Sequence, residues 1–344
     1  MSTPTLSSLR ELPPGSATAV GSWPGTDPGE AARVVLGELG VLPHLVELPA
    51  RGAGADLIGR TAALLVDLAV EVVASGYRVV ARPGRDHRRA HDLLRHDLDA
   101  LEEAFERAGA APAAVKVQLA GPWTLAAAVE LRTGHRVLTD SGAVTEFTAS
   151  LAEAVAVHSA EVARRLGVPV VVQLDEPSLP AVLAGSLRTV SGLATITAVP
   201  APDAEAAVRT VLAAAPAATV VHCCASGVPL GLLRRAGADA VALDVSVLRS
   251  TDLDGLGEWL QDGGVALLGL LPNTDPARPP TLRELADPAL DLVDRLGFSR
   301  EILATQVLVT PRCGLVGASP EWAQRALALS VQLGRAFAEP PASW

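Results

Sequence analysis

TVLAAAPAATVVHCCASGVPLGLL, Thr210 to Leu233, carries no formally charged side chain over 24 residues. Its length suits a membrane span. Its punctuation does not: Pro216, His222, Gly227 and Pro229 interrupt it, and the composition passes from alanine-rich to β-branched and back. The pattern predicts a helix, a short buried strand ending in His222-Cys223-Cys224, and a second helix. No membrane span is expected here.

Working outward, the same alternation recurs along the chain. Short apolar runs are read as strands at Thr18–Ser22, Leu45–Leu48, Ala114–Leu119, Val168–Leu174, Thr219–Cys223, Ala240–Asp244, Val265–Leu270 and Thr305–Val309. Most are rich in Val, Leu and Ala without clean alternation, as expected for strands covered on both faces. Helical patterns lie between them, among them Ala90–Arg107, Val144–Leu166, Asp203–Ala215 and Leu282–Leu296. A last helix is expected over Pro320–Phe337, with Ser319 as its N-cap. Eight strands alternating with helices predict an α/β fold, a (β/α)8 TIM barrel. The alternative is an open doubly wound sheet, but no Gly-rich phosphate fingerprint follows the first strand. Residues 1–16 are read as an N-terminal extension and 17–344 as one barrel. The segment Ser186–Pro202 reads as loop and short strand.

Composition narrows the function. The chain is 49% hydrophobic and 19% charged, with a formal net charge of −10, which argues against a nucleic-acid surface. Nearly all its positive charge is arginine; Lys116 is the one lysine. The basic run Ala81–Arg95 is broken by acids and reads as a solvated face. The N-terminal MSTPTLSSLRELPPGS has no apolar signal core, and there are only three cysteines. A reducing cytoplasm is expected, where clustered Cys and His serve metal binding or catalysis more often than disulfides.

In a barrel of this kind the chemistry gathers at the C-terminal ends of the strands. The polar residues of interest fall there. His222 and Cys224 are two apart on a strand and point together, with Cys223 facing the other way. Cys313 follows the last strand in Pro311-Arg312-Cys313-Gly314, and Asp244 ends the sixth. Thiolates, an imidazole and a carboxylate at separate strand tips can converge on one Zn2+. The plainer reading is small buried cysteines and a satisfied core histidine; recurrence at separate tips favours the metal. Asp244 is the weakest ligand and could instead hydrogen-bond a liganding histidine. Asp175, in Asp175-Glu176-Pro177, is either a helix cap or a partner for a substrate ammonium. Glu47 interrupts an apolar segment and needs a partner, either Arg51 or a substrate amine. Gly21 and Ser22 form a turn whose N–H groups and hydroxyl could hold a carboxylate. Trp123, at the Gly121-Pro122-Trp123-Thr124 corner, is read as filling the mouth.

Taken in order, G-S-x-P-x-T near the start, G-P-x-T, the Q-x-D-E-P-x-L of Gln173–Leu179, the H-x-C of His222–Cys224 and the C-G-L of Cys313–Leu315 resemble cobalamin-independent methionine synthase. The match is to its C-terminal catalytic barrel and runs from about Ala17 to Phe337. The resemblance implies a zinc-dependent S-methyltransferase that makes methionine from homocysteine. It implies His222, Cys224 and Cys313 as zinc ligands, with Asp244 in the region of the family's glutamate ligand. It assigns Asp175 to the homocysteine ammonium and Ser22, with the backbone around Gly21, to its carboxylate; Glu47 would be a second amine-binding acid. Two departures stand out. The family's full-length enzyme carries a further N-terminal barrel, for which this chain has no room. The family's folate-stacking tryptophan is Ala128 here, so the donor is either methyl-tetrahydrofolate or a methyl-corrinoid protein. A uroporphyrinogen-decarboxylase-like barrel would need arginines near the first strand, and Gly15–Thr26 has none. A non-catalytic zinc-binding barrel is the alternative of a different class.

Overall fold

The structure is a computed structural model that describes residues 6–109 and 112–340. Its strands are β1 (Ala69–Val73), β2 (Gly76–Val80), β3 (Val115–Ala120), β4 (Val129–Glu130), β5 (Val170–Asp175), β6 (Thr219–Cys223), β7 (Ala240–Asp244), β8 (Val265–Leu271) and β9 (Val307–Pro311). Six of them form one parallel sheet in the order β3-β5-β6-β7-β8-β9. All are buried along almost their whole length, which is why their sequences lack polar alternation on the helix-facing side.

The two remaining staves are irregular. The expected strands Thr18–Ser22 and Leu45–Leu48 make only isolated parallel bridges: Ala17 with Val309, Ser22 with Glu47, and His44 with Lys116. Those bridges close the sheet into a ring. Thr18 N–H donates to Val309 C=O (3.1 Å), Trp23 N–H to Glu47 C=O (2.8 Å) and Leu45 N–H to Lys116 C=O (2.9 Å). Pro43 and Pro49 bracket the second stave and cannot donate to a ladder, which limits its pairing. The expected last strand is shifted: Ile302–Thr305 completes a helical turn, and β9 starts at Val307.

Period-two placement sorts the barrel interior into layers. Toward the N-terminal ends of the strands it is apolar: Ala114, Val171, Ala218, Val220, Ala240, Ala242, Val265, Leu267 and Leu308 form one cluster. Leu6, Leu9 and Leu12 join it, so residues 6–12 of the expected extension plug the floor of the barrel. Ala218 N–H donates to Leu6 C=O (2.9 Å). Toward the C-terminal ends the interior is polar, with Gln118, Gln173, Asp175 and His222 all buried, and Lys116, from the start of β3, is buried below them. Helices pack outside against Val115, Val117, Leu119, Val170, Val172, Val221, Val241 and Leu268.

The hairpin β1–β2, extended by β4, is a second small sheet that the sequence reading did not anticipate. Its signal was present: two β-branched runs flank Ser75-Gly76. The helices fall close to expectation, with Leu282–Leu296 and Pro320–Ala338 both observed. Ser319 caps the latter, accepting from Trp322 N–H. Among the described residues no helix is long and apolar enough to cross a membrane.

Candidate active site

His222, Cys224 and Cys313 meet at the polar end of the barrel. One ligand atom from each lies within 4.8 Å of the others. The Cys224 and Cys313 sulfurs are hydrogen-bonded at 3.3 Å. Strand geometry explains the pairing: β6 carries His222 and Cys224 inward, and the turn after β9 brings Cys313 back over the mouth. Gly314 allows the close approach, because a Cβ there would lie 1.9 Å from Ser22 Oγ. Leu315 N–H donates to Ser22 C=O (2.8 Å), tying the cysteine loop to the first stave. Cys223 points outward into the helix layer and is buried there.

Asp175 fixes the imidazole. Its Oδ1 accepts from His222 Nδ1 at 2.6 Å and from Gln173 Nε2 at 2.8 Å. The two residues are direct partners in the β5–β6 ladder. With Nδ1 held, Nε2 faces the thiols, buried and with no nitrogen or oxygen partner among the described residues. Burial opposes charge on His222, but the hydrogen bond to Asp175 and then the Cys313 sulfur outweigh it and push its pKa up to about 9. The hydrogen bond between the thiols pushes Cys313 down and Cys224 up, as expected for two sulfurs sharing a proton. A nitrogen and two sulfurs around an unpartnered buried Nε2 suit a borderline-soft cation such as Zn2+. Three protein ligands are the number found in catalytic rather than closed structural zinc sites.

Asp244 is outside this group. Its Oδ1 accepts from the backbone N–H (2.8 Å) and hydroxyl (2.6 Å) of Ser246, capping the turn after β7. The carboxylate that orients the histidine is Asp175, a role the sequence reading had considered for Asp244.

Glu47 is buried, with Oε1 unpartnered. Burial pushes its carboxyl up to about 7 against the opposing charges of Arg60 and Lys116. Arg51, one of the two partners expected for it, instead pairs with Asp97 at 2.7 Å, and Arg60 pairs with Asp97 as well. Ser22 lies beside Glu47 across the isolated bridge. Gly21, Ser22, Glu47 and Asp175 therefore share the mouth with the cluster of His222, Cys224 and Cys313.

Glu176 has a structural task. Its carboxylate accepts from Trp123 N–H (2.9 Å), Thr124 N–H (2.8 Å) and the Thr124 hydroxyl (2.8 Å), capping the helix Pro122–Ala128. A Cβ on Gly121 would lie 2.4 Å from that carboxyl. The G-P-x-T and D-E-P motifs are thus two halves of one contact. Trp123 is buried, and its indole N–H donates to Ala204 C=O (3.0 Å).

Sequence reasoning missed Lys116, Gln118 and Gln173. Their signal was the spacing K-x-Q and Q-x-D on strands β3 and β5, the same period as H-x-C. Gln118 Nε2 donates to Leu45 C=O, and Gln173 Nε2 also donates to Val20 C=O (2.9 Å).

Residues 16–336 match the family described as the catalytic domain of cobalamin-independent synthase. The chain belongs to that family. Two solved structures carry the same fold. One is a B12-independent methionine synthase from Shewanella sp. W3-18-1 in complex with selenomethionine, 15% identical, with a TM-score of 0.54 over 94% of this chain and 96% of that one. The other is described as a putative vitamin-B12-independent methionine synthase from Listeria monocytogenes, 13% identical, with a TM-score of 0.51 over 94% of this chain and 98% of that one. No curated protein sequence gives a significant match. The family and these neighbours make the fold TIM-barrel-like, and the family supports a methyltransferase acting on small molecules.

Proposed function

We propose that this family member is a zinc-dependent S-methyltransferase that makes methionine from homocysteine, with methyl-tetrahydrofolate as donor. The observation that carries the reading is the convergence of His222, Cys224 and Cys313, with Asp175 holding the imidazole so that Nε2 faces the sulfurs. These three residues would hold the metal. When bound, Zn2+ supplies Lewis-acid chemistry, favouring the thiolate of a substrate whose free pKa is about 8.5.

The chain's own residues bind and orient. Cys224 and Cys313, as thiolates, offset the charge of a divalent ion. Both hydrogen bonds of Asp175 go to Oδ1, leaving Oδ2 for a substrate ammonium. The unpartnered Oε1 of Glu47 offers a second acceptor for the same group. Gly21 and Ser22 lie where the substrate carboxylate would sit, beside the cysteine loop. The apolar floor and the plug of Leu6, Leu9 and Leu12 close the far end, so reactants enter at the mouth. The Shewanella relative's selenomethionine is the selenium counterpart of the proposed product.

A second reading keeps the metal and the acceptor but takes the methyl group from a corrinoid protein. It is favoured by Ala128, which puts a methyl side chain where the resemblance implies a folate-stacking aromatic ring. Assays with methyl-tetrahydrofolate and with methylcobalamin separate the two. For the reading as a whole, zinc-edge X-ray absorption with and without homocysteine should show one more Zn–S contact with it. An unchanged spectrum at saturating homocysteine would rule out the thiol acceptor, and metal-free protein after zinc supplementation would rule out the centre.

A further inference from the structure

Of 28 basic residues, only Lys116 is a lysine, and it is wholly buried. It sits near the start of β3, paired in register with Val171, and it touches both irregular staves. Its backbone holds the second stave: Lys116 N–H donates to Pro43 C=O (2.8 Å), and Leu45 N–H donates to Lys116 C=O (2.9 Å). Its side chain holds the first: Nζ donates to Val20 C=O at 3.0 Å, with Gln118 Oε1 at 3.4 Å. The next residues continue the link. Glu47 N–H donates to Gly21 C=O (3.2 Å), and Trp23 N–H donates to Glu47 C=O (2.8 Å).

These staves lack a regular ladder, so interior side chains must set their register. A guanidinium would be a poor substitute, since it is a wide planar fork while an ammonium is a compact charge with three donors. Two of those donors are taken, and the ammonium lies within electrostatic reach of the Asp175 carboxyl and then of Glu47.

We propose that Lys116 is a positioning residue for the acceptor-binding end of the site. One residue registers the segment bearing Gly21-Ser22 against the segment bearing Glu47, and its ammonium joins the Arg60 guanidinium as a buried positive charge near the Glu47 carboxyl. The inference rests on the acceptor reading above only in naming homocysteine as the molecule so placed.

The test exploits the single lysine. Protein labelled with 13C at the lysine ε-carbon gives one lysine signal. In ligand-free protein, Glu47→Gln should move that signal; an unmoved signal overturns the link between the two residues, whatever the acceptor is. Adding homocysteine to wild type should move it as well. A Lys116→Met variant should raise KM for homocysteine about 10-fold or more, with kcat, donor KM and zinc content within about 3-fold. Placed on Glu47→Gln, the same change should add less than it does on wild type, because the part that passes through Glu47 is already lost. A Lys116→Met enzyme with unchanged homocysteine KM, or effects that multiply, overturns the proposal. Gln173 still donates to Val20 C=O in that variant, so the stave keeps one tie; should it nevertheless fail to fold, the wild-type and Glu47→Gln spectra decide the matter. If Glu47→Gln moves the signal while wild type neither binds nor methylates homocysteine, the acceptor reading falls and the Lys116–Glu47 link stands.

Discussion

Replacing Asp175 with alanine should weaken zinc binding without unfolding the barrel. His222 is 4% exposed, and its Nδ1 donates to Asp175 at 2.6 Å. A ring that gives Nε2 to a metal must carry its proton on Nδ1. In the loaded state of Asp175→Ala that N–H is buried without an acceptor, at a cost of about 1–3 kcal/mol. In the empty state the ring can rotate or change tautomer and escape the cost. Nearly all of it therefore falls on loading. At 1.4 kcal/mol per tenfold, zinc affinity should fall by about 5- to 150-fold. Asp175→Asn keeps an acceptor oxygen on an isosteric side chain and should stay within about 5-fold of wild type. Gln173 loses one partner in Asp175→Ala but keeps Val20 C=O at 2.9 Å, so no second group is orphaned there. Competition against a chromophoric chelator measures the affinities, and circular dichroism checks the fold. A folded Asp175→Ala protein that holds zinc within about 2-fold of wild type would refute the tautomer argument.

Cys224→Ser and Cys313→Ser should each lose stoichiometric zinc, while Cys223→Ser, whose sulfur faces the helix layer, should retain about one per chain by metal analysis. Glu176→Ala leaves the buried N–H groups of Trp123 and Thr124 without acceptors and should cost about 2–5 kcal/mol in urea unfolding; a loss below about 1 kcal/mol would show that the cap is dispensable. Glu47 faces Arg60, Asp175, Lys116 and Gln118, and it keeps its proton to about pH 7 when folded against 4.5 when unfolded, so the stability it lends is complete below 4.5 and lost as pH rises through 7. Glu47→Gln of metal-free protein should therefore remove a decline of about 3 kcal/mol between about pH 5 and pH 8 in urea titrations; curves parallel to wild type would count against it.

What was legible in the sequence depended on how locally each feature is determined. The six regular strands are buried runs of Val, Leu and Ala, and such runs declare themselves. His222 and Cys224 could be paired because period two is a property of the strand alone, and Cys313 because it follows a strand tip. Asp244 shows the limit. Strand parity says which way its Cβ leaves the backbone, but not that the N–H and hydroxyl of Ser246, two residues on, would take the carboxylate first. Glu47 shows another: Arg51 is four residues away in sequence, yet Asp97, from the helix Arg85–Ala108, claims that guanidinium. The hairpin β1–β2 shows a third: Ser75-Gly76 marks a turn locally, but the sheet it belongs to is separate from the barrel and is completed by β4, far along the chain.

The division of the interior explains why the motifs fall where they do. A barrel closed by eight complete ladders could fill its centre with aliphatic layers throughout. Here two staves pair only at single bridges, so their carbonyls at Val20 and Leu45 need donors from inside the barrel. Lys116, Gln118 and Gln173 supply them, and a buried ammonium in turn favours carboxylates nearby. Glu47 and Asp175 occupy that position, and Asp175 passes the order on to His222. The irregularity of the first two staves and the polarity of the site are thus linked: regular ladders there would free the barrel of its interior donors and take away the ammonium near Asp175 and Glu47, leaving Glu47 the Arg60 guanidinium alone.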